Sequence, residues 1–125
     1  MALHPELNGQ RLKLPNDPAV YLIDQGQRRW VPDPGTYTNL FALPISQGVG
    51  TDYNLLDIDL GTQITHDAVL AQPKGGAAVY LIDNGVKRQI ASPDIMTKYN
   101  FDWTKVQQCP HIVLDFLPSG PTISS

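Results

Sequence analysis

The sequence predicts a β-rich α+β fold: two tandem repeats of about 60 residues, each a β-hairpin plus short helices, packed as one domain with pseudo-twofold symmetry. Three observations carry this. The hexapeptide Ala-Val-Tyr-Leu-Ile-Asp occurs at 19–24 and again at 78–83. A shift of 59 residues aligns Pro18–Phe41 with Ala77–Asn100 and makes ten of the 24 aligned pairs identical. The same shift pairs Leu55 with Leu114, Gly61 with Gly120 and Ile64 with Ile123, so the register persists without a net gap. With 11 prolines and 10 glycines in 125 residues, the elements must be short and the turns frequent.

The first element of each repeat reads V-Y-L-I-D-[QN]-G-x-[KR]-R-x-[VI], a β-branched and aromatic run, a glycine reversal and a second short run, which is a hairpin. Gln25-Gly26 and Asn84-Gly85 supply the reversal, because glycine adopts positive φ without a Cβ clash. Two-residue and three-residue bulged loops both fit, and the choice decides which face each side chain takes. Asp33-Pro34 and Ser92-Pro93 then place a capping oxygen before a proline at the first helical position. Tyr37, Leu40 and Phe41 in the first repeat, and Ile95, Met96 and Tyr99 in the second, form the one-sided apolar stripe of a short helix. A further turn is predicted at 102–106 with Asp102 as its cap. Segments 51–58 and 110–117 read as short helices, although 109–115 also reads as a strand. Each repeat closes on a short G-x-x-aliphatic strand, and a third such start, Gly9 to Leu12, precedes the first copy. The boundaries are about 8–64 and 65–125 within a domain spanning 1–125. Units of this size bury little surface alone, so the two are expected to pack face to face.

Composition narrows the function classes. Apolar residues make up 42% and charged residues 17%, as in an ordinary globular protein. The formal net charge is −3 and Arg28-Arg29 is a pair rather than a patch, so no footprint for nucleic acid exists. No stretch approaches the length of a membrane span and no leader is evident, so the expected protein is soluble and cytoplasmic, or released by a route without a signal peptide. The lone Cys109 excludes an intrachain disulfide and reads as a small buried thiol.

Nothing in the sequence assembles a reaction centre. His4, His66 and His111 lack metal-ligand spacing, and Asp52, Asp57 and Asp59 lack the alternation and central glycine of a calcium loop. Nucleophile-elbow and phosphate-loop motifs are missing. Asp24 and Asp83 occupy matching positions, which is a poor way to drive two pKa values apart for acid–base work. The expectation is a non-enzyme without catalytic residues, cofactor or metal. Arg29 and Arg88 stand at the same place in both repeats. Each reads either as the partner of a carboxylate such as Asp24 or Asp83, or as a planar donor fork offered to a ligand. Trp30 and Trp103, the only tryptophans, fall at non-equivalent points and read either as core or as platforms on which a sugar ring stacks.

At VYLIDQGQRRWVPDPGTYTNLF and VYLIDNGVKRQIASPDIMTKYNFDWTKV the chain resembles a tandem module of bacterial secreted and cell-surface proteins. The shared pattern is a Y-L-I stretch, a glycine turn, [KR]-R-x-[IV], a proline-started helix and a Y/F-D-W step. The first repeat departs after Phe41, where Ala42-Leu43-Pro44 replaces Phe101-Asp102-Trp103. The resemblance implies an accessory or binding role and no catalytic residues. The functional expectation is therefore a small bivalent lectin whose partner is a glycan or cell-surface polysaccharide. Its candidate ligand-binding residues are Asp24, Arg29, Trp30, Asp83, Arg88, Asp102 and Trp103. A protein-interaction or assembly module, with a homodimer admitted, is the alternative.

Overall fold

The structure, a computed structural model, describes residues 2–125. It contains two four-stranded mixed sheets of the same strand order. In the first, β1 (Arg11–Lys13), β2 (Val20–Asp24), β3 (Gln27–Val31) and β4 (Val49–Thr51) lie in the order β3-β2-β1-β4. In the second, β5 (Val69–Pro73), β6 (Tyr80–Asp83), β7 (Val86–Gln89) and β8 (Gln107–Cys109) lie in the order β7-β6-β5-β8. Both sheets join their last two strands in parallel and the others antiparallel. This layout is compatible with a duplication.

The hairpin loops have two residues. Asp24 pairs with Gln27 and Asp83 with Val86. Both loop residues take positive φ, 54° and 76° at Gln25-Gly26 and 55° and 73° at Asn84-Gly85, as a type I′ reversal demands. Alternation along the strand then sets the faces. Val20, Leu22 and Asp24 turn toward the other sheet with Arg29 and Val31, whereas Tyr21, Ile23, Arg28 and Trp30 turn away.

Helix α1 (Pro34–Leu40) starts at Asp33, whose carboxylate accepts from the Thr36 amide at 2.8 Å. Helix α2 (Ile45–Gly48) follows. Helix α3 (Pro93–Lys98) starts at Ser92, whose hydroxyl accepts from the Ile95 amide. Asp102 likewise caps a 3₁₀ turn at Trp103–Lys105, while α4 (His111–Asp115) resolves the ambiguous segment as a helix. The closing G-x-x-aliphatic segments add single bridges beside the hairpins, Arg28 with Leu60, Lys87 with Ser119, and Ile90 with Ile123. Cys109 is half-buried rather than buried.

One hydrophobic cluster draws on both sheets, with Leu22, Leu40 and Phe41 from one half and Leu70, Leu81 and Phe101 from the other. At its centre Phe41 and Phe101 stack at 5.6 Å, flanked by Tyr37 and Tyr99. Their backbones form a reciprocal bridge: the Ala42 amide donates to the Asn100 carbonyl, and the Asp102 amide to the Leu40 carbonyl. This corrects the register at one point, since the sequence pairs Phe41 with Asn100. Asn100 takes φ 58° just past α3 and lengthens that connection by a residue.

The two halves also meet through a buried charge cluster. Arg29 donates to its own Asp24 at 2.9 Å and across to Asp83. Arg88 donates only across, to both oxygens of Asp24. The second Asp83 oxygen accepts from the Thr65 amide. Each arginine Nε is taken by a backbone carbonyl, Thr62 for Arg29 and Pro121 for Arg88, at 2.7 and 2.8 Å. The four side chains are 2–6% exposed, and two guanidinium groups balance two carboxylates. Charge neutrality and filled hydrogen-bond positions are the conditions under which such burial is tolerated.

Two stability predictions follow from these contacts. Arg29→Ala leaves Asp83 buried without its ion partner, while Asp24 keeps Arg88, and should cost about 3–5 kcal/mol in denaturant unfolding; a loss below about 1 kcal/mol would show the cluster to be dispensable. The Thr36 amide, helped by the Thr36 hydroxyl and His66 against a smaller opposing effect of burial, holds Asp33 below its ordinary value of 3.8. A depressed carboxylate stabilises the fold above its unfolded value, and that contribution is lost as pH falls through the folded one. The Tm gap between the wild type and Asp33→Ala should therefore be full near neutrality and close under acid below 3.8. A gap that widens in acid would contradict it.

Candidate functional site

Four of the seven residues expected to bind ligand meet in one cluster between the sheets. Asp24, Arg29, Asp83 and Arg88 spend their hydrogen-bonding capacity on one another and on backbone across the two sheets. The inward register of the two-residue hairpins directs them there, so the arginines do pair carboxylates; Arg29, Asp83 and Arg88 also line a small cleft of about 150 Å³ together with Gln25 and Asn84 of the two turns. Asp102 is engaged as a cap, accepting from the Thr104 amide at 2.9 Å and hydroxyl at 2.7 Å, with Lys105 beyond. The Thr104 hydroxyl and amide hold its carboxyl below the usual carboxylate range. Trp30 and Trp103 remain, at 39% and 51% exposure.

Each indole forms the wall of a cleft. Cleft one, about 300 Å³, runs between the start of β2, the end of β3 and the start of α1. Its lining includes Pro18, Trp30, Pro32, Asp33, Tyr37 and Ile45. Cleft two, about 370 Å³, is lined by Ala77, Gln89, Ala91, Ser92, Met96 and Trp103 among others. A shift of 59 residues carries Pro18 to Ala77, Trp30 to Gln89, Pro32 to Ala91, Asp33 to Ser92 and Tyr37 to Met96. The clefts therefore occupy corresponding places on the two hairpin–helix junctions. Only the aromatic wall changes sides. In cleft one it stands on β3 and Ile45 faces it, whereas in cleft two β7 supplies Gln89 and the 3₁₀ turn supplies Trp103.

Local sequence explains both walls. Trp30 pairs across the hairpin with Tyr21 on the outward face of its sheet. Trp103 is placed by the Asp102 cap and by Lys105, whose ammonium donates to the Phe41 carbonyl at 3.0 Å and also reaches the Thr38 carbonyl. The clefts are chiefly apolar, with a few polar groups at the edge. In cleft one Asp33 presents a carboxylate already paired with His66 at 2.7 Å. Burial pushes the Tyr37 phenol up from its ordinary value, opposed by neighbouring Arg11. No nucleophile–base pair lines either cleft, and an apolar floor with a stacking indole suits the face of a ring.

The tryptophans stand out in the sequence, read there either as core or as platforms, but their companions in the clefts do not. Proline and alanine at 18–19, 32 and 34 and at 77–78, 91 and 93 carry no chemical signature. The repeat register could have found them, because the shift that aligns the hairpins also superimposes the cleft linings. Among the described residues, no group of three or more His, Cys, Asp or Glu side chains is arranged to hold a metal, and no helix is long and apolar enough to cross a membrane. The chain matches no protein-family model, no curated protein and no solved structure.

Proposed function

We propose that this chain is a small bivalent lectin, a non-enzymatic glycan-binding protein built by internal duplication about a pseudo-twofold axis. Its two sites are the clefts walled by Trp30 and Trp103. One observation carries the reading: corresponding positions of two similar sheets hold two open, apolar-floored clefts, each with one half-exposed indole. A sugar ring presents an apolar C–H face to such an indole, while its hydroxyls reach the polar groups at the rim. Two weak sites on one rigid body raise avidity on a multivalent surface by roughly 10²–10⁴ without any new contact.

A protein-docking module is the second reading, and one feature favours it. Helix α4 exposes Ile112, Val113 and Phe116 at 64%, 49% and 81%. In the first half the corresponding segment meets the start of the chain, where Ala2 bridges Ile58, yet it too exposes Tyr53 and Leu56.

The test is agglutination of glycan-coated beads alongside monovalent titration on a broad glycan panel. Trp30→Ala and Trp103→Ala should each abolish agglutination while weak monovalent binding persists, and the double variant should lose both. Full agglutination by either single variant, or silence across the panel at high protein concentration, would remove the lectin reading. Silence together with tight capture of a partner chain that Phe116→Ser abolishes would favour docking.

A further inference from the structure

Trp30 borders a second cavity on its other side. This pocket, about 340 Å³, is lined by Tyr21, Arg28, Trp30, Leu60, Gly61 and Gln63. Arg28 is its distinctive member. The residue is only 9% exposed, its Nε donates to the Ile58 carbonyl at 2.9 Å, and its guanidinium lies 5.2 Å from the centre of the Tyr21 ring. Among the described residues the two terminal nitrogens make no hydrogen bond and Arg28 forms no ion pair. That sets it apart from Arg29, which is fully engaged. A guanidinium on a largely buried side chain, held by its Nε and by a ring face, with its outer fork open to the pocket, is a prepared seat for a planar anion.

The matching place in the second half lacks these features. Lys87 stands for Arg28 and donates its ammonium to the Leu114 carbonyl at 2.7 Å, and Gln89 stands for Trp30. The unused cation and the two-sided indole therefore belong to the first half alone.

We propose that the Arg28 pocket is a carboxylate subsite continuous with cleft one, so that the first half takes an acidic glycan, a uronic-acid chain whose ring lies on Trp30 and whose carboxylate meets the Arg28 fork. The inference rests on the glycan reading of the clefts for the sugar, and on Arg28 for the charge. The second site, with no free cation beside its cleft, takes a neutral ring.

The test uses Trp103→Phe, which leaves Trp30 as the sole tryptophan and so the selectively excited fluorophore, and titrates it with a galacturonic-acid trimer, its full methyl ester and simple aliphatic carboxylates. The acid should bind at least tenfold more tightly than the ester, since a hydrogen bond to a charged group is worth about 1.5–3 kcal/mol. Arg28→Lys, with unfolding monitored in parallel, should erase most of that gap. The acid–ester comparison needs no change at Arg28, so a poorly folded variant cannot rescue or sink the result. Equal binding of acid and ester would overturn the carboxylate subsite and leave the lectin reading standing. Binding of non-sugar carboxylates alone, dependent on Arg28, would keep the subsite and overturn the glycan assignment. No fluorescence change with any of the three would overturn both.

Discussion

The architecture turns on the buried cluster of Asp24, Arg29, Asp83 and Arg88, and that cluster depends on the length of a turn. A two-residue loop with both residues at positive φ puts Asp24 opposite Gln27 and Arg29 opposite Leu22, all on the face toward the other sheet. One extra residue would slip the register and send Arg29 outward with Trp30 brought in. The turn thus decides at once which cation is locked between the halves and which aromatic is left on the surface. With the charges balanced, the energetic gain of burying them is modest, but each hydrogen bond has a direction. An apolar interface of equal area would permit sliding that a paired fork does not.

The cluster also shows where the two halves part company. Asp83 gives one oxygen to the Thr65 amide and retains one for Arg29, whereas Asp24 accepts from both arginines. Thr65 sits where the chain crosses from the first half to the second, and its hydroxyl also accepts from the Asn84 amide, tying down the second hairpin. At the first hairpin the same duty falls to Asn8, whose side-chain oxygen accepts from the Gly26 amide. Connection and amino terminus therefore solve one problem by different means. The outer face of the first sheet is closed by Leu7, Leu12, Leu55 and Ile58, while that of the second leaves α4 open.

Much of the fold is legible in the sequence because the identities concentrate in the hairpins, where register is most constrained. The caps at Asp33, Ser92 and Asp102 are legible for a similar reason, each being a short side chain that replaces a missing backbone acceptor. Strands β1, β4, β5 and β8 are not legible. Three of them have only three residues, and Gln107-Gln108-Cys109 carries no alternation; such segments are strands only because a hairpin lies alongside. The arginines illustrate a subtler limit. Sequence places Asp24 and Arg29 in one hairpin, but the decisive bonds run to the other half, and a pattern within one repeat contains no statement about partners across an axis. The tryptophans show the converse: they fail to align, yet they wall matching clefts, because each cleft is built from two segments and either can supply the ring.

That interchange of walls bears on how two similar sheets can differ on their surfaces and still pack as one body. Facing the shared core, Val20 matches Val79 and Leu22 matches Leu81 identically, whereas Val31 is met by Ile90, Tyr37 by Met96 and Leu40 by Tyr99, so the core keeps its apolar character rather than its residues. Facing outward, Tyr21 and Ile23 match Tyr80 and Ile82 identically, but Arg28 stands where the second half has Lys87 and Trp30 where it has Gln89. The consequences differ in kind. Lys87, a point charge on a flexible stem, reaches the Leu114 carbonyl and is consumed by structure. Arg28 reaches the Ile58 carbonyl with Nε alone, and its planar head leaves two nitrogens over. A guanidinium can be both a strut and a receptor because its donors point in more than one direction, whereas an ammonium drawn to a carbonyl has little left to offer in a half-buried site. The same strand position thus spends its cation on structure in one half and, among the described residues, leaves two guanidinium nitrogens without a hydrogen bond in the other.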